Sequence, residues 1–289
     1  MKPQKTLREQ LPELREGQSI ELLKELHILT REGKLNQDTR RKLKQVYHLV
    51  QFIEPLLAEV MKTRGDVTLA DHGAGKSYLG FILYDLFFKA KTTGWVVGVE
   101  SRPELVERSR ALASRLGFAR MRFLATTVQQ ALSHPELPAH IDVVTALHAC
   151  DTATDDAIRF GLAKQARHLV LVPCCQAEVA SVMKQHKALS LSRTPLAELW
   201  RHPLHTREFG SQITNVLRCL QLESCGYAVT VTELVGWEHS MKNELILATR
   251  DGSVRAAQQA RARERLLQVL EELGLQPLTE RFAGEATPA

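Results

Sequence analysis

A glycine turn set between an apolar strand and an apolar helix constrains this chain more than any other feature. Val67-Thr68-Leu69-Ala70 reads as a short buried strand, and Asp71-His72-Gly73-Ala74-Gly75-Lys76-Ser77 follows it. Tyr78 to Phe88 continues as an apolar helical stretch, and Trp95 to Val99 reads as a second strand ending in Glu100. Strand, glycine turn, helix, strand and terminal acid are the parts of a mononucleotide-binding half of a Rossmann-type sheet. The glycines let the backbone turn sharply and approach a ligand with no Cβ in the way. Glu100, with Ser101 next to it, is placed to accept hydrogen bonds from a ribose diol. The ligand narrows to an adenosine-containing cofactor.

Three cofactor classes share this geometry. A P-loop needs a glycine, four residues, then Gly-Lys-Ser/Thr. Gly75-Lys76-Ser77 fits its end, but Ala70 stands at the first glycine position, so the loop is too short to wrap a triphosphate. A dinucleotide site prefers a third glycine where this chain has Tyr78, which is too large for close pyrophosphate contact. S-adenosylmethionine sites accept the looser pattern acid-x-Gly-x-Gly, which Asp71-His72-Gly73-Ala74-Gly75 satisfies. Asp71 would meet the ligand's amino or sulfonium end and would repel a phosphate. A glycine turn that binds nothing is the remaining reading, and the acid at both strand ends speaks against it.

The chain has 289 residues, enough for one substantial core plus an appendage. No apolar stretch is long enough to cross a bilayer, and Met1-Lys2-Pro3-Gln4-Lys5 lacks the apolar core of a signal peptide. The expectation is a cytoplasmic protein with no membrane partner. Cys150, Cys174, Cys175, Cys219 and Cys225 are too few and too unevenly placed for a disulfide framework, so thiols are expected. A formal charge of +5 with pI near 9.0 favours an anionic partner such as RNA, although a chance excess of lysine and arginine accounts for it equally well.

Residues 1–62 read as a helical N-terminal extension. From Asp38, a plausible N-cap, Leu43, Val46, Tyr47, Val50, Ile53, Leu57 and Val60 recur at helical spacing. Arg40, Arg41, Lys44, His48 and Gln51 lie near the neighbouring face. Such a ridge suits a phosphate backbone, and a solvated helix face explains it as well. Residues 63–250 read as the Rossmann-like domain. Its further elements are a helix from Pro103 to Leu116, strands at Met121–Ala125, Ile141–Leu147 and His168–Val172, and a helix starting near Thr154. Residues 186–210, rich in His, Arg, Pro and Ser, read as an insertion or lid. A helix from Thr206 to Cys225 precedes two strands, 228–234 and 244–249, spaced to pair antiparallel. Residues 251–289 read as a C-terminal helix and tail. The alternation predicts an α/β fold with a parallel sheet, right-handed crossovers and a final antiparallel strand, seven strands in all.

Ligands of open α/β sheets bind beyond the carboxyl ends of the strands. Those ends carry Asp71, Glu100, then His148, Cys150 and Asp151, then Cys174 and Cys175, with Lys242 and Asn243 just before the last strand. His148 titrates near neutrality and suits proton removal, and a structural histidine at a strand end is the alternative. Lys242 would position a phosphate or polarise an oxygen.

Leu147-His148-Ala149-Cys150-Asp151-Thr152-Ala153-Thr154-Asp155, followed by Pro173-Cys174-Cys175-Gln176, resembles a class I S-adenosylmethionine-dependent methyltransferase domain family. That family includes a eukaryotic tRNA ribose 2′-O-methyltransferase and methyltransferase-like proteins. Asp71, Gly73, Gly75, Lys76, His148, Cys150, Ala153, Thr154, Asp155, Cys174 and Cys175 match its pattern, and the segment from His239 to Ile246 is similar to its last turn. The likeness spans about residues 40–250. It implies a Rossmann-like seven-stranded sheet and S-adenosyl-L-methionine as cofactor. Asp71, Gly73, Gly75, Lys76, Glu100, Ser101 and His148 would hold that cofactor.

The expected activity is methyl transfer to RNA, tRNA or rRNA. His148, Asp151 and Cys174 would be catalytic. Cys175, Gln176, Lys242, Asn243, Arg40, Arg41 and Lys44 would bind the substrate, and no metal is expected. A covalent variant, in which Cys150 or Cys174 adds to a pyrimidine ring, remains open. So do methylation of a protein or small molecule and a non-catalytic binding protein on the cofactor fold.

Overall fold

The computed structural model describes residues 13–75, 77–147, 151–173, 176–186, 193–234 and 244–284. The chain divides into two compact units, Met1–Thr127 and Val128–Ala289.

The first unit runs α1 (Ile20–Glu25), α2 (Gln37–Arg64), β1 (Thr68–His72), α3 (Tyr78–Leu83), β2 (Trp95–Glu100), α4 (Pro103–Arg115) and β3 (Met121–Ala125). β1 pairs parallel with β2 from Thr68↔Trp95 to His72↔Val99, and β2 pairs parallel with β3 from Val96↔Met121 to Glu100↔Ala125. A helix between each pair supplies the crossover that parallel strands require. The α2 stripe buries Leu43, Val50, Ile53, Leu57 and Val60, while Val46 and Tyr47 are half-buried.

Three expectations shift here. The N-cap of α2 is Asn36, not Asp38. The Asn36 side-chain oxygen accepts from the Thr39 amide, and the Thr39 hydroxyl accepts from the Asn36 amide, both at 2.9 Å. That reciprocal capping box starts the helix earlier and leaves Asp38 inside the first turn. The N-terminal extension is not helical throughout, because α1 closes after Glu25. The Ile28 and Leu29 amides both return to the Leu23 carbonyl, at 2.8 and 2.9 Å. The apolar helix after the glycine turn also widens to a π-helical turn over Tyr84–Phe88. Arg120 holds its end by donating to the Phe88 and Lys91 carbonyls at 2.6 and 2.7 Å.

The second unit runs α5 (Val128–Ala131), β4 (Val143–Leu147), α6 (Thr152–Ala163), β5 (His168–Val172), α7 (Glu178–His186), a 3₁₀ turn (Pro195–Trp200), α8 (Pro203–Ser224), β6 (Ala228–Glu233), β7 (Glu244–Thr249), α9 (Ala256–Glu272), a second 3₁₀ turn (Gln276–Leu278) and α10 (Thr279–Ala283). β4 and β5 pair parallel, and β7 pairs antiparallel with both β5 and β6. β5 is buried along its whole length, as a central strand covered on both faces should be. β6 is an exposed strand. Val179 and Met183 of α7, Leu217 of α8, Leu266 and Leu270 of α9 and Phe282 of α10 form one apolar cluster. α8 begins at Pro203, not Thr206, because proline is pre-organised for the first helical position. Its first two turns therefore fall inside the 186–210 segment.

The strand order is β3-β2-β1-β4-β5-β7-β6, a seven-stranded mixed sheet. The expected α/β architecture and its antiparallel strand are both present.

Candidate active site

The turn after β1 is fastened to the end of β2. The Ala74 amide donates to the Val99 carbonyl at 3.2 Å, and the Gly75 amide donates to Glu100 Oε2 at 2.8 Å. Gly73 and Gly75 have φ of 61° and 54°, where a side chain is strained. The glycines are therefore required by the backbone, as the sequence pattern implies.

Glu100 is 6% exposed at the carboxyl end of β2. Arg102, which sequence reading passed over, grips it from the solvent side. Its Nε donates to Oε1 at 2.9 Å, its Nη2 donates to Oε2 at 3.1 Å, and its backbone amide donates to Oε1 at 3.1 Å. The Ser101 hydroxyl reaches Oε1 at 3.4 Å. Burial alone would raise the pKa of this carboxyl. The hydrogen bonds from Arg102 and the Gly75 amide outweigh it and hold the pKa below the ordinary value, so Glu100 is ionised at neutral pH. A paired acceptor beside a glycine turn is the donor–acceptor set that an adenosine ribose needs, so the residues present fit S-adenosylmethionine.

Asp71 is 2% exposed, and its Oδ2 accepts from the Ser77 hydroxyl at 3.3 Å. Ser77 is fully buried with φ of 50°. Its hydroxyl therefore turns inward onto Asp71. The neighbouring His72 is buried, and burial lowers its pKa to about 3.

In the second unit, Asp151 and Gln176 stand after β4 and β5. Asp151 Oδ1 accepts from the Ala177 amide at 3.2 Å. Gln176 is buried, its amide nitrogen facing the Ser211 hydroxyl at 2.6 Å and its oxygen facing Arg218 Nη1 at 2.6 Å. Asn215 Nδ2 donates to Glu244 Oε2 at 2.6 Å. Ser211, Asn215 and Arg218 were missed. Their spacing of four and three residues on α8 marks one helical face, but polar residues at that spacing usually face solvent. Lys76, His148, Cys150, Cys174, Cys175, Lys242 and Asn243 lie outside the described residues. Cys219 is no nucleophile, because burial, with Glu244 and Glu223 nearby, pushes its thiol up to about 12. Arg40, Arg41 and Lys44 are exposed on the first two turns of α2, and Arg40 Nε pairs with Glu13 at 3.3 Å.

A seven-stranded mixed sheet, a glycine turn and an acid closing the second strand define a Rossmann-like, nucleotide-binding α/β protein of the class I methyltransferase kind. Residues 41–182, just under half of the chain, match the family described as a methyltransferase domain, and the protein is an S-adenosylmethionine-dependent methyltransferase. Comparison with curated proteins gives no match. Among solved structures, the chain is similar to magnesium protoporphyrin IX methyltransferase from Synechocystis PCC 6803 with bound SAH. The two are 14% identical, with 80% of this chain and 93% of that one covered and a TM-score of 0.44. An rRNA methylase from Streptococcus thermophilus is 10% identical, with coverage of 70% and 95% and a TM-score of 0.42. Precorrin-6y C5,15-methyltransferase from Geobacter metallireducens GS-15 is 16% identical, with coverage of 64% and 81% and a TM-score of 0.38. Likeness at this level carries nothing about the acceptor.

Proposed function

We propose that this methyltransferase acts on RNA, tRNA or rRNA, in the cytoplasm. The observation that carries the reading is the exposed basic ridge Arg40, Arg41 and Lys44 at the start of α2. Lysine and arginine along one helix face suit a phosphate backbone. One turn further on, the His48 and Phe52 rings lie 5.1 Å apart and are partly exposed, which offers a surface for base stacking. The net charge of +5 acts in the same direction. Among the described residues no helix is long and apolar enough to cross a membrane.

The cofactor supplies a sulfonium methyl group. Glu100 would hold its ribose diol, the Gly73–Gly75 turn would let the backbone approach, and positioning of the acceptor would supply most of the rate. His148 takes the acceptor's proton in this reading. Cys175, Gln176, Lys242 and Asn243 hold the acceptor nucleotide. Cys174 takes a covalent part only if the acceptor is carbon-5 of a pyrimidine.

Methyl-labelled S-adenosylmethionine, incubated with the full chain and with total RNA or total protein from a strain lacking it, tests the acceptor. Label is expected in RNA. Label in protein alone would overturn the RNA reading and leave the methyltransferase assignment standing.

A further inference from the structure

Arg218 is the largest fully buried side chain among the described residues. It sits within α8 and donates in three directions. Nε reaches Asp155 Oδ1 of α6 at 2.6 Å, Nη1 reaches Asn215 Oδ1 at 3.2 Å, and Nη2 reaches the Asp151 carbonyl oxygen at 2.8 Å. A buried ion pair gains little net stability, because desolvation opposes the Coulomb attraction. A reason for a buried guanidinium is therefore to be sought in what it holds.

What it holds is strained. Asp151 has φ of 49° and ψ of −119°, a strained region for a non-glycine residue. The residue is fixed from both ends. Arg218 takes its carbonyl, while its Oδ1 accepts from the Ala177 amide at 3.2 Å and faces the Glu178 amide at 3.5 Å. Those amides open α7, where a carboxylate also meets the positive end of the helix. In the chain, Asp151 directly follows His148-Ala149-Cys150, and Ala177 directly follows Cys174-Cys175-Gln176. One side chain therefore bonds the residue closing the first acceptor-side segment to the residue closing the second.

We infer that Arg218 is a positioning residue that clamps Asp151, and that Asp151 ties the start of α6 to the start of α7 rather than removing a proton. This replaces the catalytic role expected for Asp151 from the sequence. The kinetic half of the inference rests on the methyltransferase reading, and the clamp itself does not.

The test uses the full chain as wild type, Arg218→Lys, Asp151→Asn and Asp151→Ala. Arg218→Lys keeps the charge beside Asp155 and is the variant chosen to stay folded. Three readouts are taken: hydrogen exchange at the Ala177 and Glu178 amides, S-adenosylhomocysteine affinity by calorimetry, and methyl transfer resolved into kcat and KM. Arg218→Lys is expected to exchange those amides faster and to lose about 100-fold in kcat, the scale of a misplaced reacting group, with cofactor affinity held. Asp151→Asn keeps an acceptor oxygen and is expected to retain amide protection and about 10-fold more kcat than Asp151→Ala, the worth of one such hydrogen bond. Asp151→Asn as inactive as Asp151→Ala, with its amides still protected, would overturn the inference and make Asp151 a proton acceptor. Wild-type exchange in Arg218→Lys would also overturn it. If wild type methylates no RNA, the RNA reading fails by itself and the exchange arm still decides the clamp.

Discussion

The backbone amide of Gly75 donates to Glu100 Oε2 at 2.8 Å, so the glycine turn and the acid that ends β2 form one unit before any ligand is considered. The same carboxylate carries three hydrogen bonds from Arg102. Its geometry is therefore set by the protein, oriented in advance for the ribose contact proposed for it.

Glu100→Gln tests that role. The amide keeps one acceptor oxygen but loses the charge that strengthens each hydrogen bond. Calorimetry with S-adenosylhomocysteine is expected to show binding weaker by about 10- to 100-fold, corresponding to about 1.5–3 kcal/mol. Unchanged affinity in a folded variant would remove Glu100 from the cofactor site.

Gly80→Ala tests the packing beneath the turn. A Cβ at Gly80 would stand 2.6 Å from Ser77 Oγ and 3.4 Å from both Asp71 Oδ2 and Val96 Cγ1. The helix gains propensity from alanine, about 1 kcal/mol, but overpacking costs about 1–3 kcal/mol and displaces the Ser77–Asp71 pair. Net loss of stability in urea unfolding is expected, together with weaker cofactor binding. A variant as stable as wild type, binding as tightly, would show that the Ser77–Asp71 contact does not shape the turn.

Much of this was legible from the chain. Strand ends at Glu100 and Val172 follow from short apolar runs stopped by turn residues, whereas β1 runs on through Asp71 to His72, and the apolar runs are buried in the sheet as expected. Asn36 escaped notice because an asparagine–threonine capping box does not stand out beside an acidic neighbour. The π turn at Tyr84–Phe88 was invisible because an apolar run buried nearly all round has no periodicity to break. Arg218 was missed because an arginine's charge reads as solvent-facing, and only its long-range partner Asp155 shows otherwise. Arg102 does face solvent, and its grip on Glu100 two residues away has no sequence pattern that marks it.

His72 gives a pH signature of stability. Burial lowers its pKa to about 3, while the unfolded chain has the ordinary value near 6.5. Between those values the unfolded state binds the extra proton, so stability rises with pH and is complete above the unfolded pKa. It falls by about 1.4 kcal/mol per pH unit as the solution becomes more acid than 6.5. Glu100 acts in the opposite part of the scale. Its lowered pKa gives stability that is present above the unfolded carboxyl value and lost only as pH falls through the folded one. Urea unfolding between pH 5 and 7.5 therefore leaves out Glu100, and comparison with a His72 variant separates His72 from the other histidines. His72→Leu is expected to flatten the slope there, and an unchanged slope would place the titrating group elsewhere.

The RNA reading makes a prediction in salt. A basic ridge that neutralises phosphates releases counterions, so log K falls linearly with log salt, with a slope near −0.7 per phosphate for single strands. Arg41 and Lys44 are exposed on α2, and Arg40 already shares its charge with Glu13 at 3.3 Å. Removing all three with alanine is expected to weaken RNA binding severalfold at low salt and to lower the slope magnitude by about 1–2. Because the ridge lies far along the sequence from Glu100, S-adenosylhomocysteine affinity serves as the internal control and should hold. A slope identical to wild type would mean that the ridge touches no phosphate, and α2 would then be a solvated helix whose apolar face alone matters.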